Sequence, residues 1–329
     1  MIASWFIPSE SWRKITQLLL FLFGFSTIAV AQSEMGAVHL YPPGIATFST
    51  KISTFRTDVD LVLVNVTVLD RSYRAVSGLQ PQQFLLWEDQ KPQSIKYFSS
   101  ADQPLSLVIV LDASASMAPR FAQARKAAVD LVRTGNALDE ISVIAVGDTP
   151  DVEFSFDDRI DSLPTRLELI QPDGRTALWD SMVLGLRELE HGKFPRRAMV
   201  VISDGGDNHS TFTESELKTM VAEADIELYA VGLFDRFPRR NEERNGSINL
   251  DELAGLTGGR LLSVHDEKGV LQAVTEINDE LRNQYVLGYV SSSHPHDGLW
   301  HKLRVTLGTD GTREKLRISS KKGYFAPSE

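Results

Sequence analysis

The sequence predicts an α/β chain, a doubly wound and mostly parallel sheet set between β segments from its two ends. Three observations carry that reading. Apolar runs bounded by turn residues recur between residues 105 and 264, in alternation with stretches of helical spacing. Residues before 101 and after 285 show instead the two-residue alternation of strands. The 329 residues, 42% hydrophobic and 24% charged, exclude disorder and collagen and suffice for one large domain or two small ones.

Taken in order, residues 58–70 (DVDLVLVNVTVLD) place Val62, Val64, Val66 and Val68 on one face and Leu61 and Leu63 opposite, a strand buried on much of both sides. Runs at 84–87 and 95–98, separated by Glu88-Asp89-Gln90-Lys91-Pro92, predict a β-hairpin. The strand LSLVIVL at 105–111 opens the α/β region. A helix over 119–132 follows, with Phe121, Ala124, Ala128 and Leu131 on its inner face. Strands are expected at 141–146, 198–202, 226–233 and 260–264, and helices at 176–190, 213–224 and 268–283. Thr213 to Glu216 forms a capping box, and Val270, Val274, Ile277 and Leu281 stripe the last helix. Finally, Leu303, Val305 and Leu307, a Thr309-Asp310-Gly311 turn, and Leu316 with Ile318 make the C-terminus β. The outer segments, about 45 residues each, are too short for two sandwiches, so they are expected to pair into one small β-sandwich-like domain.

Arg13 and Lys14 precede an apolar run from Leu18 to Ala31 that closes with Ala29-Val30-Ala31, the layout of a secretory signal cleaved after Ala31. An uncleaved anchor is the alternative, but the run is short for a span of roughly 20 residues. The domain plan is therefore a signal peptide at 1–31, a flexible leader at 32–54, an N-terminal β segment at 55–101, an α/β domain at 102–284 and a C-terminal β segment at 285–326. The expected location is outside the cytoplasm, periplasmic or extracellular, with no stable membrane span after cleavage. A net charge of −10, from 34 basic and 44 acidic residues, disfavours nucleic acid as a partner. The absence of cysteine excludes disulfides, thiolate metal sites and a cysteine nucleophile.

The residues with chemistry sit at strand ends. Asp112 follows the first α/β strand and opens Asp112-Ala113-Ser114-Ala115-Ser116; Asp204 follows the strand at 199–203 and opens Asp204-Gly205-Gly206-Asp207. In an open α/β sheet these ends form the ligand crevice. The loop Gly174-Arg175-Thr176 adds a third hydroxyl before a helix. Hard oxygens without nitrogen or sulfur suit Mg²⁺. Each residue alone also fits a cap or turn position. Asp207 reads as a loop residue and His209 as a surface histidine.

Together these residues resemble the metal-ion-dependent adhesion site of von Willebrand factor A domains and integrin inserted domains, with Asp112, Ser114, Ser116, Thr176 and Asp204 at the matching positions. The resemblance covers roughly residues 102 to 284. The wider chain, with VTVLDRSYRAVSGLQPQQFLLWEDQ before it and YVLGYVS to GYF after it, looks like a bacterial, acidobacterial-type von Willebrand A-related family. The resemblance implies a Rossmann-like fold and a site for Mg²⁺, with Mn²⁺ or Ca²⁺ as alternatives. Both serines would bind directly and Asp112 through water, and a partner protein's Asp or Glu carboxylate would complete the shell. It also implies binding rather than turnover, and a last helix that acts as a lever. Here Arg175 departs from the commoner Gly-Gly-Thr loop.

Residues 235–244 (DRFPRRNEER) should emerge at the same strand ends, so Arg236, Arg239 and Arg240, with Arg175 and Arg120, are candidate rim residues for an acidic ligand. The alternative is a solvated loop whose arginines pair with Glu242 and Glu243. An enzyme is not expected. Gly-x-Ser-x-Gly, His-Glu-x-x-His and Gly-x-x-x-x-Gly-Lys are missing, and only seven histidines exist to act as bases. A metal-assisted hydrolase using Asp112 and Asp204 is the enzymatic alternative, weakened by a donor set made mostly of hydroxyls. A scaffold whose metal only orders loops is the other.

Overall fold

The chain enters at β1 (Leu61–Leu69), whose Val64, Val66 and Val68 are fully buried while Leu61 and Leu63 stay 43% and 37% exposed. One face is therefore covered, and the expectation of burial on both sides fails at this end of the strand. After β1 come β2 (Phe84–Glu88), β3 (Lys91–Gln93) and β4 (Ile95–Ser99). The expected hairpin between residues 84–87 and 95–98 does not form. Asp89 and Gln90, both at positive φ, turn β2 directly into β3, and β4 crosses to another sheet. Pro92 is tolerated because β3 is an edge strand, where a missing N–H leaves no ladder bond unmade.

The α/β part runs β5 (Ser106–Asp112), α1 (Phe121–Thr134), β6 (Glu140–Val146), β7 (Asp151–Phe154), α2 (Leu163–Leu169), α3 (Leu178–Glu190), β8 (Arg197–Ser203), α4 (Glu214–Glu223), β9 (Glu227–Leu233), α5 (Asn241–Thr257), β10 (Leu261–Val264) and α6 (Glu267–Arg282). The chain closes with β11 (Tyr285–Val290), β12 (Trp300–Leu307), β13 (Arg317–Ser320) and β14 (Gly323–Phe325). This computed structural model describes residues 61–234, 241–293, 296–308 and 316–328. The expected signal peptide and leader, the Thr309-Asp310-Gly311 turn and Arg236, Arg239 and Arg240 lie outside the described residues. Among those described, no helix is long and apolar enough to cross a membrane.

Six strands form the central sheet in the order β10-β9-β8-β5-β6-β7, parallel throughout except for β7. Every residue of β5, β6 and β9 is buried, because helices cover both faces. Along β5 the side chains divide by parity. Leu107, Ile109 and Leu111 pack with Phe121, Ala128, Val274 and Ile277 of α1 and α6. Val108 and Val110 pack with Met182, Leu217 and Leu250 of α3, α4 and α5. The fold is thus doubly wound, as its alternating pattern implied. Sequence reading missed β7, α2 and α5. The first two are short, and α5 opens on Asn241-Glu242-Glu243-Arg244, which reads as loop but is helical.

The outer strands form two four-stranded sheets, β13-β1-β11-β4 and β14-β12-β2-β3, each containing strands from both ends of the chain. Between them lie Val64, Val66, Val68, Phe84, Leu86, Tyr285, Leu287, Tyr289, Leu303 and Val305. The Phe84 ring sits 5.0 Å from Tyr285 and 5.8 Å from Phe98. β12 pairs with β2 and β14, and β13 pairs with β1.

Arg196 ties the α/β part to this sandwich. Its Nη1 donates to the Gln103 carbonyl at 2.8 Å, and its Nη2 donates to the Leu281 carbonyl at 2.6 Å and to Gln284 Oε1 at 2.9 Å, so one guanidinium holds both connecting segments. Gln284 in turn donates to buried Glu227, whose carboxyl is pushed up by burial against the pull of Arg196.

Leu287, fully buried at the centre of β11, tests the shared core. Leu287→Ala is expected to lower unfolding free energy by about 2–5 kcal/mol in urea denaturation. A loss below about 1 kcal/mol would show that the two sheets do not depend on this contact.

Candidate metal centre

The parallel sheet sets the site's location. From β5 the chain winds outward through β6 and β7, returns to β8 on the other side of β5, and continues to β9 and β10. The carboxyl ends of β5 and β8 therefore flank the point where winding reverses, the usual crevice of such sheets. Register Leu111↔Ile202 brings Asp112, the last residue of β5, beside Ser203, the last of β8.

Asp112 is fully buried. Its Oδ1 accepts the Ser114 N–H at 3.0 Å and its Oδ2 accepts the Ser203 hydroxyl at 2.5 Å. The Ser114 and Ser116 hydroxyls lie 3.1 Å apart; Ser114 is buried and Ser116 half-buried. Asp204 is 3% exposed and caps its own loop through Oδ1, which accepts the Gly206 N–H at 3.1 Å. Neither Asp112 nor Asp204 makes an ion pair among the described residues. Burial pushes the Asp112 carboxyl up to about 6; the nearby Asp204 charge adds to the rise and bonds from Ser203 and Ser114 oppose it.

Thr176, 3% exposed, stands on a loop fastened to both neighbours. On one side the Ala115 N–H donates to the Gly174 carbonyl at 3.1 Å and the Asp173 N–H to the Ala113 carbonyl at 2.9 Å. On the other, Asn208 Oδ1 accepts the Thr176 N–H at 3.0 Å, while the Asn208 and His209 N–H groups donate to the Thr176 carbonyl. Asp207 Oδ1 accepts the Leu178 and Trp179 N–H groups at 2.8 and 3.3 Å, capping α3 from another loop. Asp180 returns the favour by accepting the Thr211 and Phe212 N–H groups. The five matched residues thus come from three loops at one end of the sheet, joined by hydrogen bonds.

Arg175 points its charge toward Asp148. Asp148 Oδ1 accepts the Arg175 N–H at 2.6 Å and lies 3.4 Å from its Nε, and these contacts hold the Asp148 carboxyl below the usual range. Its cation is therefore balanced locally while remaining 62% exposed. Arg120 is half-buried just before α1. Among the described residues no three His, Cys, Asp or Glu side chains group as metal ligands; three of the five matched side chains carry hydroxyls and two carry carboxylates. Sequence reading did not single out Ser203, Asn208 or Asp148, which orient the site. A polar residue ending an otherwise apolar strand was the available signal for Ser203.

Residues 107–206 match the family profile of the von Willebrand factor type A domain. The chain is similar to a von Willebrand factor type A structure from Catenulispora acidiphila, at 11% identity over 84% of this chain and 76% of that one, with a TM-score of 0.48. It also resembles an aerotolerance-related membrane protein from Bacteroides fragilis (23% identity, 54% of this chain and 98% of that one, TM-score 0.44). A third similar structure is the conserved hypothetical protein BatB from Bacteroides thetaiotaomicron (19%, 53% and 98%, TM-score 0.40). No curated protein matches the chain. The central domain has the von Willebrand A-type fold, which makes it a module of the protein-interaction type.

Asp112 holds its proton more tightly when folded, at about 6 against an ordinary 3.8. At this group the folded chain thus binds more protons than the unfolded one between these values, and the Asp112 contribution to stability should fall as pH rises through them by roughly 3 kcal/mol. Asp112→Asn should remove that slope. Urea midpoints from pH 4 to pH 7 check it, and parallel slopes in both proteins would overturn it.

Proposed function

We propose that this chain is an exported, metal-dependent protein-binding module of the adhesion or assembly type, and not an enzyme. The observation that carries this reading is the buried pair Asp112 and Asp204, set beside the Ser114 and Ser116 hydroxyls at the switch crevice. Two carboxylates withdrawn from water without an ion pair among the described residues leave negative charge uncompensated, and a hard dication compensates it. The donor set fits Mg²⁺, with Mn²⁺ or Ca²⁺ as alternatives.

Ser114 and Ser116 would hold the ion through neutral hydroxyls, with Thr176 and Asp204 beside them. Asp112 suits an indirect role through water, since each of its oxygens already accepts a bond from Ser114 or Ser203. The ion would supply a Lewis-acidic position for an Asp or Glu carboxylate of a partner protein, because neutral hydroxyls leave most of its charge available. Arg175 at the rim, with Arg236, Arg239 and Arg240 following β9 in sequence, would favour an acidic partner surface. Export to the periplasm or cell exterior rests on Arg13, Lys14 and the apolar run to Ala31. Membership of the metal-ion-dependent adhesion class and the acidobacterial-type family rests on the loop motifs and the flanking β segments.

The bonds joining the three loops favour a second reading, a scaffold in which the ion only orders them. The two readings separate at Ser114→Ala, which would lower stability in a scaffold without removing any partner.

Calorimetric titration of Mg²⁺ and Mn²⁺ into the chelator-stripped protein tests the site. The wild type is expected to bind one ion and the Asp112→Ala, Ser114→Ala double variant none. A wild type that takes up neither ion would overturn the proposal.

A further inference from the structure

The backbone of helix α5 lies against the candidate site. Gly205, directly after Asp204, has a φ of +76°, and a Cβ built on it would lie 2.7 Å from the Gly246 carbonyl carbon and 2.8 Å from its Cα. Conversely, a Cβ on Gly246 would lie 2.8 Å from the Gly205 Cα and overlap its carbonyl group. Two main chains therefore meet with no side chain between them, and the obstructing atoms are backbone that no rotamer change can move.

Gly205 is the residue through which both acids would feel a displacement. Its N–H donates to the Ser203 hydroxyl at 2.8 Å, and that same hydroxyl donates to Asp112 Oδ2 at 2.5 Å. The same nitrogen is in peptide linkage with Asp204. Helix α5 has little freedom to retreat. Leu250, Leu253 and Ala254 are fully buried against the sheet. Asn249 donates to Glu214 of α4 at 2.9 Å, and Lys218 of α4 pairs with Glu252 at 2.5 Å. A methyl at 246 would thus be accommodated by the loop at 204–206 and not by the helix.

We infer that Gly246 is a positioning residue of the cation site, holding Asp204 and the Ser203–Asp112 bond in register through its contact with Gly205. The inference rests on the proposed metal-binding reading and adds that α5 docking and ion binding are coupled. Coupling of this kind is reciprocal: what α5 does for the site, the ion does for α5.

Mg²⁺ titration by calorimetry compares the full chain, Gly246→Ala and Gly255→Ala, the last on the same helix with no atom within 4 Å of its added Cβ. Gly246→Ala is expected to weaken affinity by about 10- to 100-fold, the usual cost of disturbing groups that orient ligands, and Gly255→Ala by less than about twofold. Wild-type affinity in Gly246→Ala overturns the inference while leaving the metal site intact. No binding by the wild type overturns the metal reading itself and the inference with it. Amide hydrogen exchange of the wild type serves where Gly246→Ala fails to fold. Added Mg²⁺ should slow exchange at residues 246–250 relative to α1, and unchanged exchange there overturns the coupling.

Discussion

Burying Asp112 and Asp204 at the ends of neighbouring parallel strands sets two like charges against each other in a poorly solvated place. At Asp112 desolvation and repulsion both favour protonation, and hydrogen-bond donors aimed at its carboxylate oppose them. Much of the local architecture follows from supplying those donors. The 112–116 loop turns so that the Ser114 N–H faces Asp112, β8 ends on a serine whose hydroxyl reaches the same group, and the loop after Asp204 folds its Gly206 N–H back. Neighbouring loops that stray would expose unpaired N–H groups, so Asn208 and Asp207 hold the Thr176 loop and the start of α3 in place.

The opposite end of the sheet poses a related problem with a different solution. Glu227 is buried at the start of β9, where the Gln284 amide donates to it and the charge of Arg196, itself bonded to Gln284, pulls its carboxyl down against burial. Compensation built from protein groups makes that end a fixed joint. At the carboxyl end the described residues supply hydrogen-bond donors to the acids and no ion pair.

What could be read in the sequence follows the range of the interactions. Buried strands such as β5 and β9 were legible because parallel strands covered on both faces are continuous apolar runs. The Asp112, Ser114 and Ser116 set was legible because its spacing is local. Ser203 contacts Asp112 across 91 positions and Asn208 contacts Thr176 across 32, and no pattern along the chain announces such pairs. The false hairpin at 84–98 has the same origin. Alternation identifies a strand but not its neighbour, and β4 found β11, some 190 positions away, in preference to β2. In α5, charge at the start and two glycines masked a helix whose stability comes from Leu250, Leu253 and Ala254 packing on the sheet.

The way the α/β domain is spliced into the sandwich has a mechanical consequence. The chain leaves β4 at Ser99 and returns into β11 at Tyr285, and Ser99 is paired with Val286, so both attachments lie at the same end of one antiparallel pair. Tension pulling the α/β domain away along the strand axis drags β4 and β11 in the same direction and leaves their mutual ladder unstrained. The load passes instead to the six-residue register between β11 and β1, from Leu61↔Val290 to Val66↔Tyr285, where it acts along the strands and stresses all the bonds together. A tether loaded in shear resists until the whole ladder yields, whereas one opened from an end yields bond by bond.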